Sequence, residues 1–150
     1  MSRCRVRGGT AFSARLSEIR ASLDVAKKVR VGFLEGATYP DGTAVAQVAF
    51  WNEYGTDTAP PRPFFRDMIK SKSGTWGDGI AVQLRENNMD VGKAMEVAGM
   101  GIKGQLVESI NEFSSPSNAA ATVAIKGFDK PLIDTGHMRN SVDYEVTNGD

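Results

Sequence analysis

One cysteine and one histidine in 150 residues leave little for redox or metal chemistry. Cys4 has no second cysteine in the chain, so no internal disulfide is expected. A zinc site built on Cys4 and His137 needs two or more carboxylates to complete it, so no metal is expected either. No apolar run approaches the ~18–20 residues that span a bilayer. The basic start lacks the apolar core of a secretory signal, which makes the cytoplasm the expected place of synthesis. Phosphate-binding GxxxxGK[ST], HExxH and GxSxG patterns are all absent. The run Gly99-Met100-Gly101-Ile102-Lys103-Gly104 looks like part of a glycine loop, but it lies in a helical stripe and follows no strand. No cofactor is expected, and the chain reads as a non-enzyme.

Net charge is missing too, with 18 basic and 18 acidic residues. Its distribution is uneven. Residues 1–30 hold eight basic and two acidic side chains, 8 − 2 = +6, which leaves 10 − 16 = −6 for the rest. A basic start on an acidic body suits either nucleic acid or the acidic face of a neighbouring subunit; a solvated helix face is the plain alternative. The chain has no groove-reading motif, and its pI of about 6.6 is far from that of a nucleic-acid-binding domain.

Length and 41% hydrophobic content fit one soluble domain over 1–150. Residues 3–7 alternate as a strand, with Cys4 and Val6 inward. Gly8-Gly9 breaks it, and a helix capped by Thr10 or Ser13 runs to about Lys28 with Leu16, Ile19, Leu23 and Ala26 as its stripe. Residues 29–34 form the next strand, with Val29, Val31 and Phe33 on one face. Tyr39-Pro40-Asp41-Gly42 is a turn. Asp41 or Thr43 starts a helix that Gly55 ends in a left-handed conformation. This helix carries Phe50, Trp51 and Tyr54 and has little polar surface, so it is buried or meets another subunit.

Pro60, Pro61 and Pro63 then stiffen an arm before a helix over 64–71. A break over 71–79 follows; Ile80, Val82 and Leu84 fit a short strand and Ile80, Leu84 and Asn87 a helix face, with the helix preferred because residues 83–86 are good helix formers. Asp90 caps a long helix over 91–113, whose stripe is Met95, Ala98, Ile102, Leu106, Ser109 or Ile110, and Phe113. Four glycines inside it each cost roughly 0.8–1 kcal/mol against alanine, which implies a kink, a late start or a close approach to the backbone. Residues 114–131 read as a long loop, or a hairpin around 121–125. Asp134 or Thr135 caps one helical turn, and 142–147 alternate as a final strand. The fold class is α+β: a small, mostly antiparallel sheet packed against several helices.

Asp134, His137 and Ser141 stand at i−3, i and i+4 of one helical turn, where a hydrolase would bring base and nucleophile together. An exposed or capping histidine is the plainer reading. Glu53, Asp41 and Asp57 have no spacing that fixes a metal site.

Three linked motifs support a named comparison. Asn52-Glu53-Tyr54-Gly55-Thr56, then Pro61-Arg62-Pro63-Phe64-Phe65-Arg66, then Leu132-Ile133-Asp134-Thr135-Gly136-His137-Met138-Arg139-Asn140-Ser141-Val142, resemble the tail-completion (neck) and tail-terminator proteins of tailed bacteriophages. The likeness is collinear over roughly 45–146. Ala59-Pro60 replaces a common Ile-Pro, and Met138 a usual leucine. The resemblance implies a virion protein made in the host cytoplasm, forming a ring, typically hexameric, at the head–tail junction. Its partners would be copies of itself, head-closure (connector) proteins and the tail tube protein. Genomic DNA would pass its channel without specific binding, and no membrane is involved. Trp51, Glu53, Tyr54, Asp57, Arg62, Phe64, Phe65, Arg66 and Arg139 are the interface residues this reading selects. Glu53, Asp57, Arg62 and Arg66 are expected near the surface; Phe64 and Phe65 either anchor a neighbour or pack inside the subunit. The alternative function is a DNA-binding module using the basic N-terminal segment.

Overall fold

A computed structural model describes residues 8–24 and 27–149. The strand expected over 3–7 lies outside them. Two strands far apart in sequence hold the fold together. β1 (Lys27–Phe33) pairs antiparallel with β2 (Val142–Asn148), with Phe33 opposite Val142, Val31 opposite Tyr144 and Val29 opposite Val146. The alternation read from the sequence therefore brings six apolar or aromatic side chains to one face. Arg30 and Glu145 lie opposite each other on the other face, 3.2 Å apart and solvated.

Between the strands the chain is mainly helical: α1 (Gly9–Leu23) before β1, then α2 (Val45–Tyr54), α3 (Phe64–Lys72), α4 (Trp76–Glu86), α5 (Val91–Glu112), α6 (Ala120–Lys126) and α7 (His137–Asn140). The α+β class stands. A single 3-10 turn, Ser73–Thr75, is all that interrupts α3 and α4 where a longer break was expected. α6 replaces the hairpin expected at 121–125 and splits the long connection 114–131. Alanines at 119–121 favour a helix, and Gly127 ends it with φ 78°.

α5 is the central element and packs on both strands and on α3, α4 and α7. Asp90 caps it: its carboxylate accepts the Lys93 amide at 3.0 Å. The core combines Leu106 and Ile110 of α5 with Val45 and Ala49 of α2, Phe64 and Met68 of α3, Leu132, Met138 and Val142. Trp76 is half-buried against it, and its indole N–H donates to Gln105 at 2.8 Å.

The α5 glycines divide into two kinds. Gly99 is buried, and a Cβ there would overlap the Tyr144 ring of β2. It is the close approach that lets helix and sheet meet. At Gly101 and Gly104 a Cβ would meet nothing within 4 Å. The helix runs unbroken from Val91 through all four glycines, without the late start they might have forced. Gly99→Ala is therefore expected to lose about 1–3 kcal/mol by overpacking. Gly101→Ala and Gly104→Ala are expected to gain up to ~1 kcal/mol each. Urea midpoints of the three variants test this contrast.

Candidate interaction surface

The start of α3 shows how the first two motifs fit together. Its N-cap is Pro63, which has no side-chain acceptor. The free amides at the helix start need one from elsewhere. Glu53 supplies it from the last turn of α2. Its carboxylate accepts the amides of Phe65 at 2.9 Å and Arg66 at 3.1 Å, and the Arg66 Nε–H at 2.7 Å. Arg66 also donates to the Glu53 carbonyl at 3.1 Å. Glu53 is thus only 6% exposed, against the expectation that it stays near the surface. A buried carboxylate is tolerated here because all its partners are donors and one is cationic.

The segment between α2 and α3 is closed by backbone bonds. Thr56 N–H donates to Ala59 O at 2.9 Å and Arg62 N–H to Asn52 O at 2.7 Å. Pro63, at φ −78° and ψ 53°, centres a γ-turn in which Phe64 N–H donates to Arg62 O. Gly55 has φ 80° and ψ 177°. Its φ is positive as expected, but its ψ is extended, a glycine-only region distinct from the left-handed helical one. The proline arm therefore folds back on α2 instead of projecting from the domain.

Arg62 is half-buried and faces inward. Its guanidinium donates to Asn52 Oδ1 at 3.3 Å and Asn118 Oδ1 at 3.4 Å, clasping α2 to the 114–119 connection. Desolvation lowers its pKa, partly opposed by Asp129. Phe64 is fully buried, edge-on to Phe33 at 6.4 Å, and so belongs to the core and not to a surface contact. Phe65 is half-buried beside it and packs under Gly32 of β1. Asp57 is exposed at the loop tip. Arg139 is half-buried; it bonds Asn111 Oδ1 at 3.4 Å and so ties α7 to α5.

The surface is left to other residues of the same helix. Val45, Ala49 and Glu53 turn inward, so Phe50, Trp51 and Tyr54 turn out, at 56%, 45% and 54% exposure. Phe50 and Tyr54 stack at 4.7 Å, and the Arg66 guanidinium lies 4.7 Å over the Tyr54 ring. They border an apolar groove of about 310 Å³ between α2 and α3, floored by Phe33 and Phe65 and edged by Ile69. Phe50, missing from the residues selected by motif, lies four positions before Tyr54, a spacing that marks it as a surface neighbour.

On the opposite flank, Trp51 borders a wider hollow of about 770 Å³ with Tyr39 and α7. The third motif lies here. His137 Nε2 is 2.8 Å from Thr38 O, and its ring stacks on Tyr39 at 4.7 Å. The Ser141 hydroxyl donates to the His137 carbonyl, not to its ring. His137 and Ser141 of the hydrolase reading are therefore engaged with backbone oxygens. Tyr39 has a raised pKa, first from burial and then from Asp134 and Asp41. Thr135 Oγ1 accepts the His137 amide at 3.3 Å, and the helical turn starts after Gly136. Among the described residues no three His, Cys, Asp or Glu side chains gather as metal ligands, and no helix is long and apolar enough to cross a membrane.

Comparison of the chain with protein-family models, with curated proteins and with solved structures finds no match in any of the three.

Proposed function

We propose that the chain is a non-enzymatic structural protein of a tailed-bacteriophage virion. In this reading copies assemble into a ring, hexameric by the resemblance, which completes or terminates the tail and docks it to the head around the DNA channel. The observation that carries it is the aromatic trio of Phe50, Trp51 and Tyr54, exposed together on a ten-residue helix within the first motif. A stacked Phe50–Tyr54 pair with Arg66 over it, and an exposed Trp51 on the next flank of the same helix, have the composition of an interface hot spot. The intrachain clasp of Glu53, Arg62 and Arg66 supports the same reading, because it holds that surface rigid and reduces the ordering cost of association.

The DNA-binding alternative draws less support from the described residues. Arg15 pairs with Glu18, Arg20 with Asp24 and Arg30 with Glu145, so carboxylates accompany these arginines on the surface. Electron microscopy of the purified protein, together with duplex-DNA binding across a salt series, separates the two. Closed rings with an open centre and no DNA retention at physiological salt are expected. Affinity for DNA that falls steeply with salt, without rings, would replace this proposal by the alternative.

A further inference from the structure

Between Phe113 and Pro131 the chain leaves the core and returns to it. Phe113 packs against the core at one end, and Pro131 and Leu132 are buried at the other. No residue from 114 to 130 is buried, and α6 makes at most marginal contact with any other helix or strand. Ile125 is 88% exposed. The segment is closed on itself instead. The Asn118 amide donates to Asp129 Oδ1 at 3.0 Å and Lys126 Nζ to Lys130 O at 2.8 Å, while the Lys126 ammonium lies 5.1 Å from the centre of the Phe128 ring. Residues 118–129 thus form an Ω-loop whose neck is the Asn118–Asp129 bond.

Its hold on the body is weak. Among the described residues, Arg62 Nη2 donates to Asn118 Oδ1 at 3.4 Å and Lys130 Nζ to Asn111 O at 3.3 Å. Both are longer than the ~2.7–3.2 Å of a well-made N–H···O bond. The clasp also leaves Arg62 Nε and Asn118 Nδ2 buried without an acceptor among the described residues. Opening the loop returns both donors to water and releases the conformational entropy of an ordered segment. It gives up only two long hydrogen bonds and little apolar area.

We infer that the 114–131 segment is a strap that opens as a unit while α5 and the sheet stay folded, with the Arg62–Asn118 bond as its latch. Few buried apolar contacts and an exposed backbone are the conditions for such local opening. Its position gives the opening a consequence. Lys126 forms part of the wall of the hollow beside Trp51 and Asn52. A closed strap holds the Arg62 guanidinium inward and walls one side of Trp51; an open one frees both. This opening stands whether or not the chain assembles.

Native-state hydrogen exchange of the full chain, read by mass spectrometry, tests it. Limited trypsin digestion read at the Lys126–Gly127 bond is the second readout, since Pro131 blocks cleavage after Lys130. Protection of α6 amides is expected to be at least ~100-fold lower than that of α5 amides. Asn118→Ala removes the latch and keeps the neck, because Asp129 accepts the backbone amide. It is expected to raise α6 exchange and cleavage after Lys126 by about 2–10-fold, the factor carried by one net hydrogen bond, with α5 exchange unchanged. Wild-type α6 amides as protected as those of α5 would overturn the inference, because the segment would then open only with the whole domain. Wild-type exchange and cleavage in Asn118→Ala would overturn it by removing the latch. An equal rise in α5 exchange would overturn it too, since Asn118 would then support the fold as a whole.

Discussion

Replacing Glu53 by alanine is expected to be the most damaging single change outside the apolar core. It removes one buried carboxylate and leaves the amides of Phe65 and Arg66 without acceptors at the start of α3. Hydrogen bonds to a charged group are worth about 1.5–3 kcal/mol each, and stranded donors add their desolvation. Capping substitutions alone cost about 0.5–2 kcal/mol. A loss of about 3–5 kcal/mol follows from the two stranded amides, while the half-exposed Arg66 returns to water and adds little. In a domain of this size that is a Tm drop of roughly 6–20 °C. Glu53→Gln keeps one carbonyl acceptor and is expected to lose about half as much. Thermal unfolding of both variants measures the difference. Equal effects would mean that shape, not the donors at α3, is what Glu53 provides.

Gly55→Ala is the second large effect. A Cβ at this position would lie 2.8 Å from Ala59 O and 2.9 Å from Pro61 N. Both are backbone atoms of the closed segment, so no side-chain rotation relieves the overlap. The conformation itself, φ 80° with ψ 177°, costs any residue with a Cβ about 1–3 kcal/mol. Together these predict a loss of about 3 kcal/mol or more, read as a lower urea midpoint at unchanged slope. The same change is expected to weaken self-association, because Gly55 fixes the path between Tyr54 and the arm that seats Arg66.

These two residues also mark what the sequence could and could not disclose. Gly55 was legible, because a glycine directly after an apolar helical run is a stop signal that acts locally. The Asp90 cap, the alternation in β1 and β2 and the helix over α5 were legible for the same reason. Glu53 was not, since its role depends on amides 12 and 13 positions further on. The available hint was negative: α3 begins after a proline, with no Ser, Thr, Asp or Asn to cap it. α6 was hidden by Thr122, Val123 and Ile125, whose β-branched side chains suggested strands, although Gly127 supplied the helical stop. Most of all, periodicity in α2 did not say which of its faces is inward. Glu53, taken for a surface charge, fixes that rotation and turns Phe50, Trp51 and Tyr54 outward. The candidate surface was therefore legible as a segment, and its orientation depended on a contact across the chain.

The central claim is self-assembly through the aromatic face of α2. The most direct test is the solution mass of the wild-type chain by light scattering across a concentration series, with Phe50→Asp/Tyr54→Asp alongside. Both replaced side chains are more than half exposed, so the variant should fold with stability within about 1 kcal/mol of wild type. The account predicts a discrete ring mass for the wild type and a monomer mass for the variant. A monomer at every wild-type concentration, or a variant that keeps the wild-type mass, would contradict it.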